Sequence, residues 1–156
     1  MVDVHTRITE QPRTVLDTIA ASMTTRAAEP AMQAICARYM GAIPRNATGR
    51  VLEIGCGNGA ASELLMANLN PSEFVGVDPA SVFIDMARDA FAAEPRASFH
   101  VGDAVETGEP DASFDLVVAH TVFSHLSHPD DALAEVHRVL KPGGHFVVFD
   151  GDFATT

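Results

Sequence analysis

Glu53, Gly55, Gly57 and Gly59 fall within one run, RVLEIGCGNGA, from Arg50 to Ala60, where a short apolar strand empties into glycines at alternate positions. A chain that leaves a strand, turns sharply and starts a helix needs residues without side chains, and their absence also lets backbone approach a ligand closely. The chemistry implied is cradling of a nucleotide-like cofactor. GCGNGA satisfies both G-x-G-x-G and the looser G-x-G-x-x-A of dinucleotide-binding folds, so the loop alone does not choose between cofactor classes. Charge separates them. A pyrophosphate wants bare amides and a helix dipole, whereas a cofactor ending in an amino acid carries an ammonium that needs an acceptor. Glu53 supplies a carboxylate there, and its competing role is an ordinary strand-end carboxylate capping loop amides.

Further along, His120, His125 and His128 offer groups that titrate near neutral pH, on the segment that follows an apolar strand. His125 is the best single candidate for a general base, the competing role being a histidine that packs against or caps the helix beginning at Pro129. The three do not read as a metal site. Pro129 interrupts any helix that would align His125 with His128, and no thiolate or spaced carboxylate completes the set. Cys36 and Cys56, the two cysteines, stand apart in unrelated contexts, which argues against a disulfide framework or zinc knuckle and for a reducing, cytoplasmic setting.

The elements that must hold these residues are an alternation. Strands are expected at Arg50 to Ile54, Glu73 to Val77, Ala97 to Val101, Phe114 to Ala119 and His145 to Phe149, with helices after the first, second and fourth. One helix runs through Phe83, Met86, Ala87, Ala90 and Phe91. Another starts at Pro129, carries Asp130 and Asp131 in its first turn, turns Leu133, Val136 and Leu140 inward, and stops at Lys141-Pro142-Gly143-Gly144. LVVA and FVVF are continuously apolar, as strands covered on both faces are. The fold class is therefore α/β, a doubly wound and mostly parallel sheet of about five strands. Ahead of it lie two helical stretches, one through Val15, Leu16, Ile19, Ala20 and Met23 and one through Met32, Ile35, Cys36, Tyr39 and Met40, the second opened by Glu29 and Pro30. Residues 1–49 form this N-terminal helical segment and 50–156 the α/β core of a single domain, with the loop Gly41 to Gly49 between them. The helical stripes can cover the site, and simple core packing is the other reading.

Composition narrows the partners. The 156 residues, 47% hydrophobic, suffice for one core. A formal charge of −11 with only 10 lysines and arginines makes nucleic acid a poor partner. The N-terminus lacks the basic start and apolar core of a signal peptide, and no apolar run reaches membrane-spanning length, so no membrane association is expected.

VLEIGCGNG, VGVDPA, VGDA, FDLVVAHTVFSHL and EVHRVLKPGGHFVVFD, in this order and spacing from about Arg50 to Asp150, resemble the successive motifs of class I S-adenosylmethionine-dependent methyltransferases of the small-molecule methyltransferase-domain type. The resemblance implies S-adenosylmethionine as cofactor and a small-molecule methyl acceptor. It places Gly55, Gly57 and Gly59 against the methionine part, with Glu53 ordering that end. It puts Asp78 on both ribose hydroxyls, with Pro79 following it. Asp103 falls on the adenine amino group, with the Ala104 amide toward a ring nitrogen. His120 lines the methionine and the transferable methyl, largely through backbone. The spacing to Asp78, about twenty residues beyond the glycines, also occurs in NAD enzymes and marks a ribose. Two alternatives stay open at this point: an NAD-binding domain, and a non-catalytic S-adenosylmethionine-binding module. The family sheet continues past its fifth strand into an antiparallel pair, whereas this sequence ends at Thr156. The expectation is a short form or fragment whose fifth strand leaves an apolar edge, covered by a second copy in a homodimer.

Overall fold

The computed structural model describes residues 4–151. Five parallel strands form one sheet in the order β3-β2-β1-β4-β5, with β1 Arg50–Ile54, β2 Glu73–Asp78, β3 Ala97–Val101, β4 Phe114–His120 and β5 Leu140–Phe149. Chain order reverses between β1 and β4. Ligands of open α/β sheets bind at such a switch point, beyond the carboxyl ends of the strands.

Alternation along the central strands sends side chains to two cores. Val51, Phe74, Leu116 and Val118 face one cluster with Cys36, Met40, Leu65 and Ile84, under helices α2 (Pro30–Met40), α3 (Ala60–Leu69) and α4 (Ser81–Ala90). Leu52, Ile54, Val75, Val77 and Val117 face the other, under α5 (Pro129–Val139) through Ala132, Val136 and Val139. Burial on both faces is why these strands read as unbroken apolar runs. Helix α1 (Arg13–Ala28) packs separately, with Leu16 and Ala20 against Ala80 and Phe83 at the start of α4. Among the described residues no helix is long and apolar enough to cross a membrane.

Strand and helix limits follow the expectation except at the junction of α5 and β5, and two helical side chains face the other way. α5 ends at Val139 and β5 begins at Leu140, so Lys141-Pro142-Gly143-Gly144 lies inside the strand. Pairing runs from Phe114 opposite Leu140 to Leu116 opposite His145, so the Pro-Gly-Gly run is accommodated as a bulge, with Gly143 at φ +80°. Leu133 does not turn inward; it is 44% exposed. Glu135 takes the inward place, held by Arg138 and accepting hydrogen bonds from the Thr107 amide and hydroxyl at 2.8 and 2.7 Å. Ile35 of the second N-terminal stripe is likewise exposed, while Cys36 and Met40 carry that face.

Candidate functional site

The loop after β1 is built as the glycines demand. Gly55, Gly57 and Gly59 all have left-handed backbone, with φ of +70°, +54° and +84°, a region that costs other residues about 1–2 kcal/mol. A Cβ at Gly55 would lie 2.5 Å from Val122 Cγ2, and one at Gly57 would lie 2.8 Å from Met23 Sδ of α1. The amides of Gly55 and Cys56 donate to the Val77 carbonyl, which ties the loop to β2.

Asp78, the last residue of β2, braces the loop from the side. One carboxylate oxygen accepts from the Gly57 amide at 3.0 Å and the other from the Ala80 amide at 2.9 Å. Each oxygen keeps acceptor capacity beyond its amide. Burial pushes this carboxyl up to about 6; the Ala80 and Gly57 amides pull it down, and the charge of Asp103 adds to the rise.

Around the loop lies a cavity in two adjoining lobes. The smaller, about 60 Å3, is bounded by Gly55, Cys56, Gly57 and Asn58 on one side and α1 on the other. The larger, about 380 Å3, reaches Asp78, Pro79, Asp103, Ala104, His125 and His128. Met23, Arg26, Gly55, His120 and Thr121 line both lobes. The structure therefore brings Gly55, Gly57, Asp78, Pro79, Asp103, Ala104, His120 and His125 to one cavity. Gly59 lies outside it, heading α3 against Phe91 and Ala87 of the neighbouring helix end.

Glu53 is also off the cavity wall. It is fully buried beneath the glycine loop, where the Ser62 hydroxyl donates to Oε2 and Oε1 has no partner. Burial pushes the carboxyl up to about 8; the Ser62 hydrogen bond opposes this and the charge of Asp78 adds to it. An unpartnered buried carboxylate oxygen is costly unless a cation or donor meets it.

His120 ends β4, and its Nδ1 lies 2.9 Å from the Tyr39 hydroxyl of α2. Burial pulls this imidazole down to about 4, with Arg26 adding to the fall and Asp150 opposing it. His125 sits in a short 3-10 turn, Phe123–His125, which Asp150 holds through the Ser124 amide and hydroxyl at 2.9 and 2.7 Å. His128 is the residue before α5. Among the described residues no group of three or more His, Cys, Asp or Glu is arranged to hold a metal ion.

Helix α1 contributes what sequence reasoning missed. Arg26 is the one Arg or Lys among the described residues lining the two lobes. Asn58, between Gly57 and Gly59, donates from Nδ2 to the Ala20 carbonyl and the Thr24 hydroxyl, both at 3.0 Å. The apolar stripes of the two N-terminal helices are the sequence signal of this covering role, and of their residues Met23 and Met32 line the smaller lobe.

Comparison with known proteins agrees over the same residues. Residues 52–148 match the family model described as Methyltransferase domain. The 27-O-demethylrifamycin SV methyltransferase of Amycolatopsis mediterranei is 35% identical over 128 residues, 80% of this chain and 46% of that protein. The methyltransferase solved in complex with the Haloferax volcanii Trm112 methyltransferase activator superposes with a TM-score of 0.72 at 28% identity, over 87% of this chain and 58% of that one. Phosphoethanolamine N-methyltransferase 2 of Haemonchus contortus, solved with S-adenosyl-L-methionine, gives 0.59 at 27% identity, over 64% and 24%. The chain spans less than half the length of the curated relatives it matches. Ordered motifs, sheet order and these matches coincide from β1 to β5, and the chain belongs to the class I S-adenosylmethionine-dependent methyltransferase family.

Proposed function

We propose that this domain holds S-adenosylmethionine across the two lobes and serves methyl transfer to a small-molecule acceptor. The observation that carries the reading is the set of acidic groups around a side-chain-free bend: Glu53 Oε1 buried without a partner beneath it, and Asp78 and Asp103 on the wall of the larger lobe. The cofactor presents an ammonium, a ribose diol and an adenine amino group, each of which seeks an acceptor, so the residues fit it. Glu53, from beneath the loop and not from the cavity wall, would offset the charge of the ammonium, and Arg26 would serve the carboxylate of the amino-acid end, with Gly55 and Gly57 giving close backbone approach. Asp78 would take the ribose hydroxyls, with Pro79 beside it. Asp103 and the Ala104 amide would take the adenine.

The cofactor supplies a methyl already activated by a sulfonium, so the protein's part is placement and exclusion of water. Met23 and Arg26 close the cavity from the α1 side. His125 and His128 line the larger lobe, where a proton on an acceptor oxygen or nitrogen would have to be taken up; His125 is the proposed base. A relative named for 27-O-demethylrifamycin SV and a structural neighbour named for phosphoethanolamine support a small acceptor. A cytoplasmic location and pairing of two copies along β5 belong to the same reading.

The test is calorimetric titration of the protein with S-adenosylhomocysteine, followed by a labelled-methyl assay over a panel of small acceptors. Saturable binding with transfer is expected. Binding without transfer would support a non-catalytic module. An NADH fluorescence response with no S-adenosylhomocysteine binding would overturn the cofactor assignment.

A further inference from the structure

Tyr39 lies on α2 and lines neither lobe, yet its hydroxyl is 2.9 Å from Nδ1 of His120, whose residue lines both. A third ring fixes the pair. Phe149 of β5 stacks on Tyr39 with centroids 5.3 Å apart and planes 9° apart, and lies 4.8 Å from the imidazole centroid. Three elements thus converge on one imidazole, and the phenol has little freedom to swing away.

A neutral imidazole carries one N–H and one lone pair, and its partner decides which nitrogen holds the proton. A phenol is a stronger acid than an imidazole N–H, and an imidazole nitrogen is a stronger base than a phenolic oxygen. The favoured arrangement is therefore Tyr39 O–H donating to Nδ1. Burial raises the phenol well above its ordinary range and lowers the imidazole to about 4, so both stay neutral near pH 7. The imidazole proton then resides on Nε2. Among the described residues no side chain or backbone group is hydrogen-bonded to that atom, and His120 itself lines both lobes.

We propose that Tyr39 is a positioning residue that locks His120 in the Nε2–H form, making it a hydrogen-bond donor to a carboxylate oxygen at the amino-acid end of the bound cofactor. This rests on the S-adenosylmethionine reading above. It removes His120 from consideration as a base, because its free nitrogen already carries a proton and its other lone pair is taken.

The lock is testable without ligand. In 15N-correlated NMR of the full chain near pH 7, with the His120 signals identified by their loss in His120→Gln, Nε2 is expected to be protonated and Nδ1 unprotonated. In Tyr39→Phe the two tautomers should mix, and the His120 titration midpoint should move upward. The other groups acting on that ring are Arg26 from α1 and Asp150 beyond β5, and the Cys36 thiol of α2 is a second hydrogen-bond partner of the phenol; Tyr39→Phe leaves all three in place. A protonated Nδ1 in the wild type, or an unchanged tautomer in Tyr39→Phe, would overturn the proposal. The carboxylate clause is read by calorimetry: Tyr39→Phe should weaken S-adenosylhomocysteine by about 2- to 10-fold, the worth of one hydrogen bond. Binding of 5′-methylthioadenosine, which lacks the amino-acid end, should not change. Equal losses for both compounds, or none for the first, would sink that clause. Failure of the wild type to bind S-adenosylhomocysteine would instead defeat the cofactor reading and leave the tautomer result standing.

Discussion

At the residue scale the decisive oddity is Glu53, a carboxyl wholly buried next to the cavity rather than in its wall. Its folded value of about 8 lies above an ordinary carboxyl because burial disfavours the charged form. The folded protein therefore holds a proton there that the unfolded chain has released, and stability must fall as pH rises between roughly 4.5 and 8. Asp78, raised to about 6, adds to the same trend over the lower part of that window. Glu53→Gln keeps the shape and removes the titration, so its urea midpoint should vary less across that window than the wild type's. Equal slopes in the two proteins would show that Glu53 does not titrate as its burial requires. An approaching ammonium would favour the carboxylate, so S-adenosylhomocysteine uptake near pH 7 should release a proton. Calorimetric enthalpies measured in buffers of different ionisation heat would reveal it, and Glu53→Gln should abolish that dependence. That Gly55, Gly57 and Asp78 would meet at one place was legible because motif spacing carries a mechanical requirement, whereas Asp103 and His120 were reached only through the family resemblance. The depth of Glu53 was not, since sequence shows a strand-end acid without showing which way the loop folds over it.

At the element scale, the sheet and its helices were readable because double burial and helical period leave strong patterns, while their joints were not. Lys141-Pro142-Gly143-Gly144 has turn composition, and the chain does loop out there, but as a bulge within β5 rather than a break before it. Glu135 on the inward face of α5 was invisible to a rule that looks for apolar residues, because a carboxylate goes inside only where Arg138 and Thr107 wait for it. Helix α1 was recognised as a helix without its attachment being visible. That attachment is a strap from Asn58, whose side-chain amide bonds the Ala20 carbonyl and the Thr24 hydroxyl, while Met23 rests on Gly57. Asn58→Ala removes both bonds and should cost about 1–3 kcal/mol of α1 attachment. Amide hydrogen exchange should then quicken across residues 13–28 and stay unchanged in β1 and β4. Uniform quickening throughout the sheet would mean that α1 is part of the global core and not a separately held cover.

At the scale of the whole molecule, charge and edges decide what can meet the protein. The ion pairs Arg50 to Glu73, Arg50 to Glu109, Arg138 to Asp111 and Lys141 to Asp115 gather at the amino-terminal side of the sheet. Arg26, at the opposite end, faces the cavity in a chain of net charge −11. Anionic small molecules thus have one cation at the site and repulsion elsewhere, which favours short-range recognition over long-range steering. The other consequence concerns β5, which pairs with β4 alone among the described residues and leaves Val148 45% exposed. An unpaired apolar strand edge is a template for another strand, and a two-fold axis would let two copies of β5 pair with each other. Sedimentation of the wild type should show a mass twice that of the chain, dissociating on dilution, and Val148→Lys should sediment as a monomer with an unchanged urea midpoint at low concentration. A lysine on an edge strand opposes strand addition by carrying a charge that cannot be buried between sheets. A wild type that stays monomeric at high concentration would remove the self-pairing, and a Val148→Lys protein that still dimerises would move the contact to another face.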